Sequence, residues 1–361
     1  MKFSKIVLTG GPCAGKSTGM SWIQNAFTQM GYHVVFLPET ATELVTAGIA
    51  PWNCGSNTDF QKCLMKLQID KESLYDQAAK TIAQDKVLVV CDRGTCDNFA
   101  YMNQEERKSV MDFVGSNEVD LRDRYDAVFH LVTAAKGAEE FYTTANNQAR
   151  RESAADASIL DDKTLAAWTG HPYLRVIDNS SNFEDKMKRL ITEIATFLGE
   201  PQTGTVERKF LILYPDIAWL EANPNCQRIE IIQTFLNSRQ GEEVCVRQRG
   251  LNGHYIYFQT ITNKENKNQI IKTEQRLSQE EYLKLLMEAD TSKRQIRKTR
   301  YCLTHQSQYF EIDVYPFWSD QAIAEIKLSD ENATVVLPEQ LTVVREVTGD
   351  PSYSNSALAD M

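Results

Sequence analysis

Short apolar runs alternate with longer amphipathic stretches through the first 200 residues of the chain. The runs cover residues 6–8, 34–37, 87–90, 127–132 and 174–177. Between them, residues 17–30, 60–84 and 183–198 place apolar side chains at helical spacing. Strands that alternate with helices in this way predict a parallel sheet covered by helices on both faces.

The pattern changes at residues 199–205, where two glycines and one proline fall within seven residues, as is typical of a linker. Beyond it, short runs rich in Val, Ile, Tyr, Phe and Thr follow one another, interrupted by one predicted helix at residues 278–287. This texture predicts a mostly antiparallel sheet or β-barrel. We therefore expect two domains: an α/β domain over residues 1–199 and an antiparallel β-barrel domain over residues 205–361.

The composition is that of a folded protein, with 42% hydrophobic and 24% charged residues. Acidic residues outnumber basic ones by 49 to 39, which argues against a nucleic-acid partner. The eight cysteines include no C-x-x-C pair, and the N-terminus lacks the apolar run of a signal peptide. No apolar stretch has the length of a membrane span. We expect a cytoplasmic protein with at most peripheral membrane contact.

Residues 10–17 read Gly-Gly-Pro-Cys-Ala-Gly-Lys-Ser and match G-x-x-x-x-G-K-[ST], between a predicted strand and a predicted helix. In such a loop the backbone N–H groups face an anion, Lys16 neutralises phosphate oxygens, and the Ser17 hydroxyl binds Mg²⁺. The pattern predicts a nucleoside triphosphate site with Mg²⁺ as cofactor. The candidate nucleotide-binding residues of the loop are Gly11, Pro12, Cys13, Ala14, Gly15, Lys16, Ser17 and Thr18.

Two acidic positions complete the candidate catalytic set around Lys16. Asp92 ends the most apolar predicted strand, where a carboxylate would bind the metal or its water. Glu39 follows the second predicted strand, beside the place of a phosphate acceptor; the alternative for Glu39 is a charge at a helix N-terminus. The segment Asp92-Arg93-Gly94 resembles an element of nucleoside and nucleotide kinases, which implies that Arg93 meets the transferring phosphates.

The segment Gln148-Ala-Arg150-Arg151-Glu152 looks like a lid whose arginines close on a triphosphate. The alternative for Arg150 and Arg151 is a solvated helix face. No Asn-Lys-x-Asp element follows a strand in the first half, so both ATP and GTP remain open as nucleotides.

Charged residues in the second half recur at a spacing of two within predicted strands. Residues two apart on a strand share one face of the sheet. That face is either an ordinary polar surface or the polar lumen of a barrel, which would suit a polyphosphate. The residues concerned are Glu207, Lys209, Arg247, Arg249, Lys298, Arg300, Glu311, Asp313, Glu325 and Lys327.

The segment Val206-Glu207-Arg208-Lys209-Phe210-Leu211 resembles the opening strand of the CYTH (triphosphate tunnel) superfamily, whose signature is Glu-x-Glu-x-Lys. Residues 246–249 are similar to its Arg-x-Arg strand, and residues 296–301, 311–315, 324–328 and 345–350 resemble its later strands. The resemblance implies a barrel that binds a phosphorylated ligand, with Glu346 added to its candidate ligand residues.

The sequence departs from this family at three positions. Thr205 replaces the first Glu of the signature, Lys327 replaces the second Glu of a late Glu-x-Glu, and Gln259 stands where members often carry Lys. Fewer carboxylates weaken metal binding, which a tunnel hydrolase needs. We therefore expect phosphate binding by this domain rather than triphosphate cleavage.

A kinase-like P-loop domain followed by a CYTH barrel resembles the TRPL translocation-defect protein family over nearly the whole chain. The resemblance implies guanine-nucleotide binding by the first domain and phosphoinositide or polyphosphate recognition by the second. The leading hypothesis is Mg²⁺-dependent binding and hydrolysis of GTP or ATP, coupled to a barrel that binds a phosphorylated ligand. The alternatives are a small-molecule or nucleoside kinase with a regulatory barrel, a non-enzymatic nucleotide-switched phosphoinositide-binding protein, and a tunnel triphosphatase.

Overall fold

The computed structural model describes residues 2–139, 153–200, 206–239, 241–263, 271–328 and 333–360. The chain divides into two compact units, an N-terminal unit, Met1–Gly204, and a C-terminal unit, Thr205–Met361. No helix among the described residues is long and apolar enough to cross a membrane.

The N-terminal unit is built on a five-stranded parallel sheet, which confirms the predicted fold class. Its strands run in the order β2-β3-β1-β4-β5. They are β1 Lys2–Gly10, β2 His33–Leu37, β3 Lys86–Asp92, β4 Ala127–Leu131 and β5 Leu174–Ile177. The helices are α1 Lys16–Gln29, α2 Thr40–Thr46, α3 Asn57–Ala79, α4 Gln104–Val114, α5 Glu118–Arg122, α6 Ala154–Trp168 and α7 Phe183–Phe197, with a 3-10 helix at Thr95–Tyr101.

The apolar runs of the sequence form the centre of this sheet. Leu8 of β1, Val90 of β3 and Phe129 of β4 are fully buried, because helices cover both faces of the central strands. Phe27 of α1 and Leu190 of α7 pack into the same core. Burial on both faces explains why these strands read as continuous apolar runs rather than as alternating ones.

The strand register brings the candidate residues to one edge of the sheet. Leu8 pairs with Asp92, and Leu37 pairs with Cys91, so β1, β2 and β3 end at the same level. The residues that follow each strand meet there, as expected where parallel strands share a carboxyl edge.

Two glycines are required by the turn from β1 into α1. Gly10 has φ 141°, and a Cβ there would lie 2.1 Å from the Leu131 carbonyl oxygen. Gly15 has φ 92°, and a Cβ there would lie 2.8 Å from the Phe183 ring. Any other residue would be strained at both positions.

The C-terminal unit is a nine-stranded antiparallel sheet, again as predicted from the sequence. Its order is β10-β9-β8-β7-β11-β12-β13-β6-β14, so β10 and β14 form its two ends within the described residues. The strands are β6 Val206–Leu213, β7 Cys226–Leu236, β8 Glu242–Leu251, β9 His254–Asn263, β10 Ile271–Leu277, β11 Ile296–His305, β12 Gln308–Val314, β13 Gln321–Leu328 and β14 Val343–Glu346. The helices are α8 Ile217–Ala222, α9 Gln279–Leu285 and α10 Asn355–Asp360.

The two faces of this sheet differ in chemistry. One face carries a buried apolar cluster that includes Phe210, Leu303, Phe310 and Ile326, and Leu220 of α8 packs against it. Residues adjacent to these in sequence point to the opposite face, because side chains alternate along a strand. The charged residues of the period-two pattern therefore share that opposite face.

Candidate functional site

A cavity of about 1100 Å³ opens at the carboxyl edge of the parallel sheet. The phosphate loop and the first turn of α1 form one wall, with Cys13, Lys16 and Ser17. The end of β2 and one side of α2 form another wall, with Glu39 and Thr42, and Asp92 of β3 lies between them. The structure thus brings together the loop, Glu39 and Asp92, although Lys16 and Asp92 are 76 residues apart in sequence.

A buried carboxylate fixes the start of the phosphate loop from outside the cavity. The Gly11 N–H donates to Asp161 Oδ1 of α6 at 2.8 Å. The same carboxylate receives the Thr133 N–H at 3.2 Å and the Lys136 ammonium at 3.0 Å, and His130 Nε2 lies 3.1 Å from it. Burial opposes ionisation of Asp161, but His130 and Lys136 outweigh it and hold its pKa well below the ordinary value.

The middle of the loop is held in the same way. The Thr133 hydroxyl donates to the Pro12 carbonyl oxygen. The Lys186 ammonium of α7 donates to the carbonyl oxygens of Ala14 at 3.1 Å and Val132 at 2.6 Å. Because these carbonyls face the protein, the loop keeps its cradle shape without a ligand.

Lys16 lies at the centre of the cavity. Its ammonium group donates to the Gly10 carbonyl oxygen at 3.3 Å. Burial and the nearby Arg93 lower the pKa of Lys16 from 10.5 to about 8, although Asp92 and Glu39 favour the charged form. The nearby carboxylates therefore do not fully stabilise the charged form of Lys16, and an added phosphate group would stabilise it further.

Asp92 presents an unused carboxylate oxygen. Its Oδ1 is buried and has no hydrogen-bond partner within the described part of the chain. Burial raises the pKa of Asp92, while Lys16 opposes this shift. An orphaned buried oxygen in the same cavity as the Ser17 hydroxyl fits Mg²⁺, which binds through one or two carboxylates together with substrate phosphates.

Arg93 and Glu39 form an ion pair across the cavity edge. Arg93 Nε lies 2.7 Å from Glu39 Oε1, and Arg93 Nη1 lies 3.1 Å from Asp97 Oδ1. Arg93 has φ 66°, a left-handed conformation that is uncommon for a non-glycine residue and often marks a functional site. Burial opposes ionisation of Glu39, but Arg93 and Lys16 prevail and lower its pKa.

Asp97 is a residue that the sequence reasoning missed. It is 1% exposed and receives hydrogen bonds from the Thr9 hydroxyl, the Gly94 N–H at 2.8 Å and Trp168 Nε1 at 3.1 Å. These bonds hold the Asp97 carboxylate in place, and its Oδ1 in turn accepts a hydrogen bond from Arg93 Nη1 at 3.1 Å. The only local signal was an Asp three residues after Gly94, which reads as an ordinary helix cap.

The predicted lid arginines, Arg150 and Arg151, lie outside the described residues. Their proposed role remains a prediction.

In the C-terminal unit, eight charged residues of the polar face form one ion-pair cluster. Lys209 lies 3.0 Å from Glu207 and 2.9 Å from Glu325. Deeper on the same face, Asp313 receives the Lys298 ammonium at 2.5 Å and both Arg300 Nε and NH2 at 2.7 Å. We call these residues, with Glu311 and Lys327, the charged cluster: Glu207, Lys209, Lys298, Arg300, Glu311, Asp313, Glu325 and Lys327.

The remaining candidates of this unit lie beside the cluster or apart from it. Arg247 of β8 lies 2.7 Å from Glu274, and Arg249 is 2% exposed on the same face. Glu346 is not with them. It pairs with Arg208 at 2.7 Å, and its strand register places it opposite Phe210, on the apolar side of the sheet.

A family model described as an AAA domain matches residues 5–186, which is half of the chain. The chain belongs to this AAA domain family. The match covers the phosphate loop, Glu39, Asp92 and Asp161, so it identifies the N-terminal unit as a P-loop nucleotide-binding domain.

Two solved structures resemble part of the chain. They are titled "The crystal structure of the hypothetical protein NE1496" and "The crystal structure of the inorganic triphosphatase NE1496", with 26% and 25% sequence identity. Each match covers 44% of this chain. It covers 99% of the first solved chain and 97% of the second, and the TM-score is 0.33 in both cases. No curated protein matches the chain.

The Asp161 network predicts a specific effect on ligand affinity. Asp161→Asn keeps one carbonyl acceptor but removes the charge that holds the Gly11, Thr133 and Lys136 donors. Hydrogen bonds to charged groups contribute about 1.5–3 kcal/mol, so we expect nucleotide affinity to fall about tenfold or more, measured by titration with a fluorescent nucleotide.

Asp162→Asn is the matched control, since Asp162 contacts Lys136 at 2.6 Å and is 61% exposed, with no bond to the loop. Equal affinities of the two variants, with unchanged circular dichroism, would show that Asp161 does not support the loop.

Proposed function

We propose that the N-terminal unit binds a nucleoside triphosphate with Mg²⁺ and hydrolyses it. The observation that carries this proposal is the buried Asp92 Oδ1, which has no hydrogen-bond partner in the part of the chain that the structure describes and shares one cavity with Lys16 and Ser17. Burial of the Lys16 ammonium and of a carboxylate oxygen without a partner each costs free energy. A triphosphate with its metal ion would satisfy both.

Each residue of the cavity has a distinct task in this proposal. The N–H groups of the loop and of the first turn of α1 would bind the β- and γ-phosphates, since the start of a helix leaves such groups unpaired. Lys16 would neutralise the γ-phosphate oxygens. Ser17 and Asp92 would hold Mg²⁺, which when bound supplies charge neutralisation of the phosphates.

The base of the nucleotide and the closing residues are less directly supported. ATP and GTP both fit the cavity's phosphate chemistry, and the resemblance to TRPL translocation-defect proteins favours GTP. Arg150 and Arg151 would close on the phosphates, as proposed from the sequence.

We further propose that the C-terminal unit binds a phosphorylated ligand, either a polyphosphate or a phosphoinositide headgroup. The support is the charged cluster with Arg247 and Arg249, which gathers basic side chains on one polar face of the sheet. The resemblance to CYTH domains points the same way. In this reading the protein acts in the cytoplasm, with at most peripheral contact to a membrane.

Substitution of Lys16 tests the nucleotide site. Lys16→Ala removes the cation of the loop, so we expect ATP and GTP affinity to fall at least about a hundredfold, or about 3 kcal/mol. In the wild-type chain the Lys16 pKa of about 8 adds a second signature. Above pH 8 the ligand-free lysine loses its proton, and phosphate binding restores it. Nucleotide binding should therefore take up a proton above pH 8 and not well below it.

Calorimetry in buffers of different ionisation enthalpy measures both effects. Lys163→Ala is the control, because Lys163 is exposed on α6 away from the cavity. Retained nucleotide binding by Lys16→Ala would exclude the proposed site.

A second candidate function is phosphoryl transfer to a small molecule, with Glu39 beside the acceptor. The cavity continues past Lys16 along β2 and α2, where Phe36, Thr42 and Thr46 line it. This leaves room beyond the phosphates for another ligand. An ionised Glu39 would accept the proton of an acceptor hydroxyl.

A panel of nucleosides with labelled γ-phosphate distinguishes the two candidates. A kinase should yield a phosphorylated product, and Glu39→Gln should slow its formation about a hundredfold with unchanged nucleotide affinity, because general-base catalysis contributes roughly 10²–10⁴. The control is Glu105→Gln, on the exposed side of α4.

Phosphate release without any labelled acceptor would exclude the kinase and support hydrolysis. Nucleotide binding with neither product would favour the non-enzymatic alternative, a nucleotide-switched binding protein.

A further inference from the structure

The carboxylates of the charged cluster are all close to cationic side chains. The Lys209 ammonium lies between Glu207 and Glu325, at 3.0 and 2.9 Å. Lys327 lies 3.6 Å from Glu311, and Arg300 NH1 lies 2.7 Å from the same carboxylate. A dication placed between Glu207 and Glu325 would have to displace Lys209 and would still face like charges nearby.

The donor set therefore does not fit a divalent metal. Mg²⁺ and Mn²⁺ bind where several oxygen ligands can surround the ion and no cationic side chain occupies its place. Within the described residues, no group of three or more His, Cys, Asp or Glu side chains is placed to hold a metal ion. Burial opposes the charged form of Lys209, yet Glu325 and Glu207 outweigh it and raise its pKa, so the lysine stays a cation.

The strand register shows where an anion would be bound instead. On this face β8 presents Arg247 and Arg249, and β11 presents Lys298 and Arg300. Between them, β7 presents only the neutral side chains Ile229, Ile231 and Gln233. Two strand spacings place the strands that carry the basic pairs about 10 Å apart, so one anion that contacts both pairs must contain several linked phosphates.

The face also grades from buried to accessible. The Lys298 and Asp313 side chains are 4% and 0% exposed, whereas those of Lys209 and Lys327 are 25% and 32% exposed. An anion would therefore reach the lysines first and the deeper arginine and lysine last.

We propose that the polar face of the C-terminal unit binds an oligophosphate anion without a divalent metal ion. Lys209 and Lys327 take the place that a metal would hold among the carboxylates, and the basic pairs of β8 and β11 contact the phosphates. This inference rests on the proposed phosphate-ligand function of the C-terminal unit and specifies its chemistry.

The test uses the full chain carrying Lys16→Ala, so that the phosphate loop does not compete for the probe. Tripolyphosphate is titrated by calorimetry in EDTA and in excess Mg²⁺. We expect saturable binding in EDTA, and equal or weaker binding in Mg²⁺, because Mg²⁺ also complexes the free anion. Tighter binding in Mg²⁺, or binding only there, would overturn the inference.

Mn²⁺ titrated alone, followed by electron paramagnetic resonance, gives an independent readout. We expect no saturable Mn²⁺ site that depends on Glu325 in the Lys16→Ala chain. Adding Lys327→Glu should create one beside Glu325 and Glu311 and weaken tripolyphosphate binding in EDTA about tenfold, or about 1.4 kcal/mol. A saturable Mn²⁺ site that Glu325→Gln abolishes in the unaltered cluster would contradict the proposal.

Two further variants serve as a surface control and as a second test of the basic residues. Lys284→Ala, exposed on α9, should bind tripolyphosphate like its parent. Arg247→Gln should weaken binding about tenfold and replaces Lys327→Glu if circular dichroism shows that variant to be misfolded. An unchanged affinity in Arg247→Gln would remove β8 from the site.

Parallel titrations in EDTA separate the sources of the anion. Vesicles containing phosphatidylinositol bisphosphate report a lipid headgroup, and tripolyphosphate reports a free anion. Failure of both in either buffer would overturn the inference and the phosphate-ligand function of this unit. It would leave nucleotide binding by the wild-type chain, measured with ATP and GTP, unaffected.

Discussion

The hydrogen bond from the Gly11 N–H to the buried Asp161 carboxylate is the contact on which the nucleotide site depends. A phosphate loop must turn its N–H groups toward one point, an arrangement that like dipoles resist. Asp161 reduces this repulsion, because it accepts the Gly11 N–H on the side of the loop that faces away from the cavity. It also ties the loop to Thr133 and Lys136, which follow β4. The cradle is therefore built before any ligand arrives, which lowers the ordering cost of binding.

The two units treat buried charge in opposite ways. In the N-terminal unit, Asp92 Oδ1 has no hydrogen-bond partner among the described residues, and Asp92 lines the same cavity as Lys16. In the C-terminal unit, Lys209 already lies between two carboxylates, and Asp313 is paired with Lys298 and Arg300. An unpaired buried charge favours binding of a counter-charge, whereas a paired cluster must exchange partners to bind. This contrast is the reason we propose a metal ion for the first site and none for the second.

Local pattern was sufficient to predict the strands, the helix at α9 and the phosphate loop, because each depends on neighbours in sequence. The contacts that shape the site come from far along the chain and could not be predicted. Asp161 lies 150 residues from Gly11, and its sequence context is that of a helix interior. Likewise, only the tertiary fold shows that Lys186 reaches the carbonyl oxygen of Ala14.

Strand pairing and register are the second feature that could not be predicted from the sequence. A spacing of two places charges on one face of a strand but does not say which strands are neighbours. Lys209 and Glu325 meet because β6 pairs with β13 across more than a hundred residues. A shift of register in β14 places Glu346 beside Arg208, apart from the charged cluster.

Amide hydrogen exchange at single-residue resolution in the ligand-free chain tests most directly whether the loop is held from outside. The account predicts a protected Gly11 amide, and rapid exchange of the Lys16 and Ser17 amides until a nucleoside triphosphate is added. A Gly11 amide that exchanges as freely as that of Lys16 without ligand would contradict it.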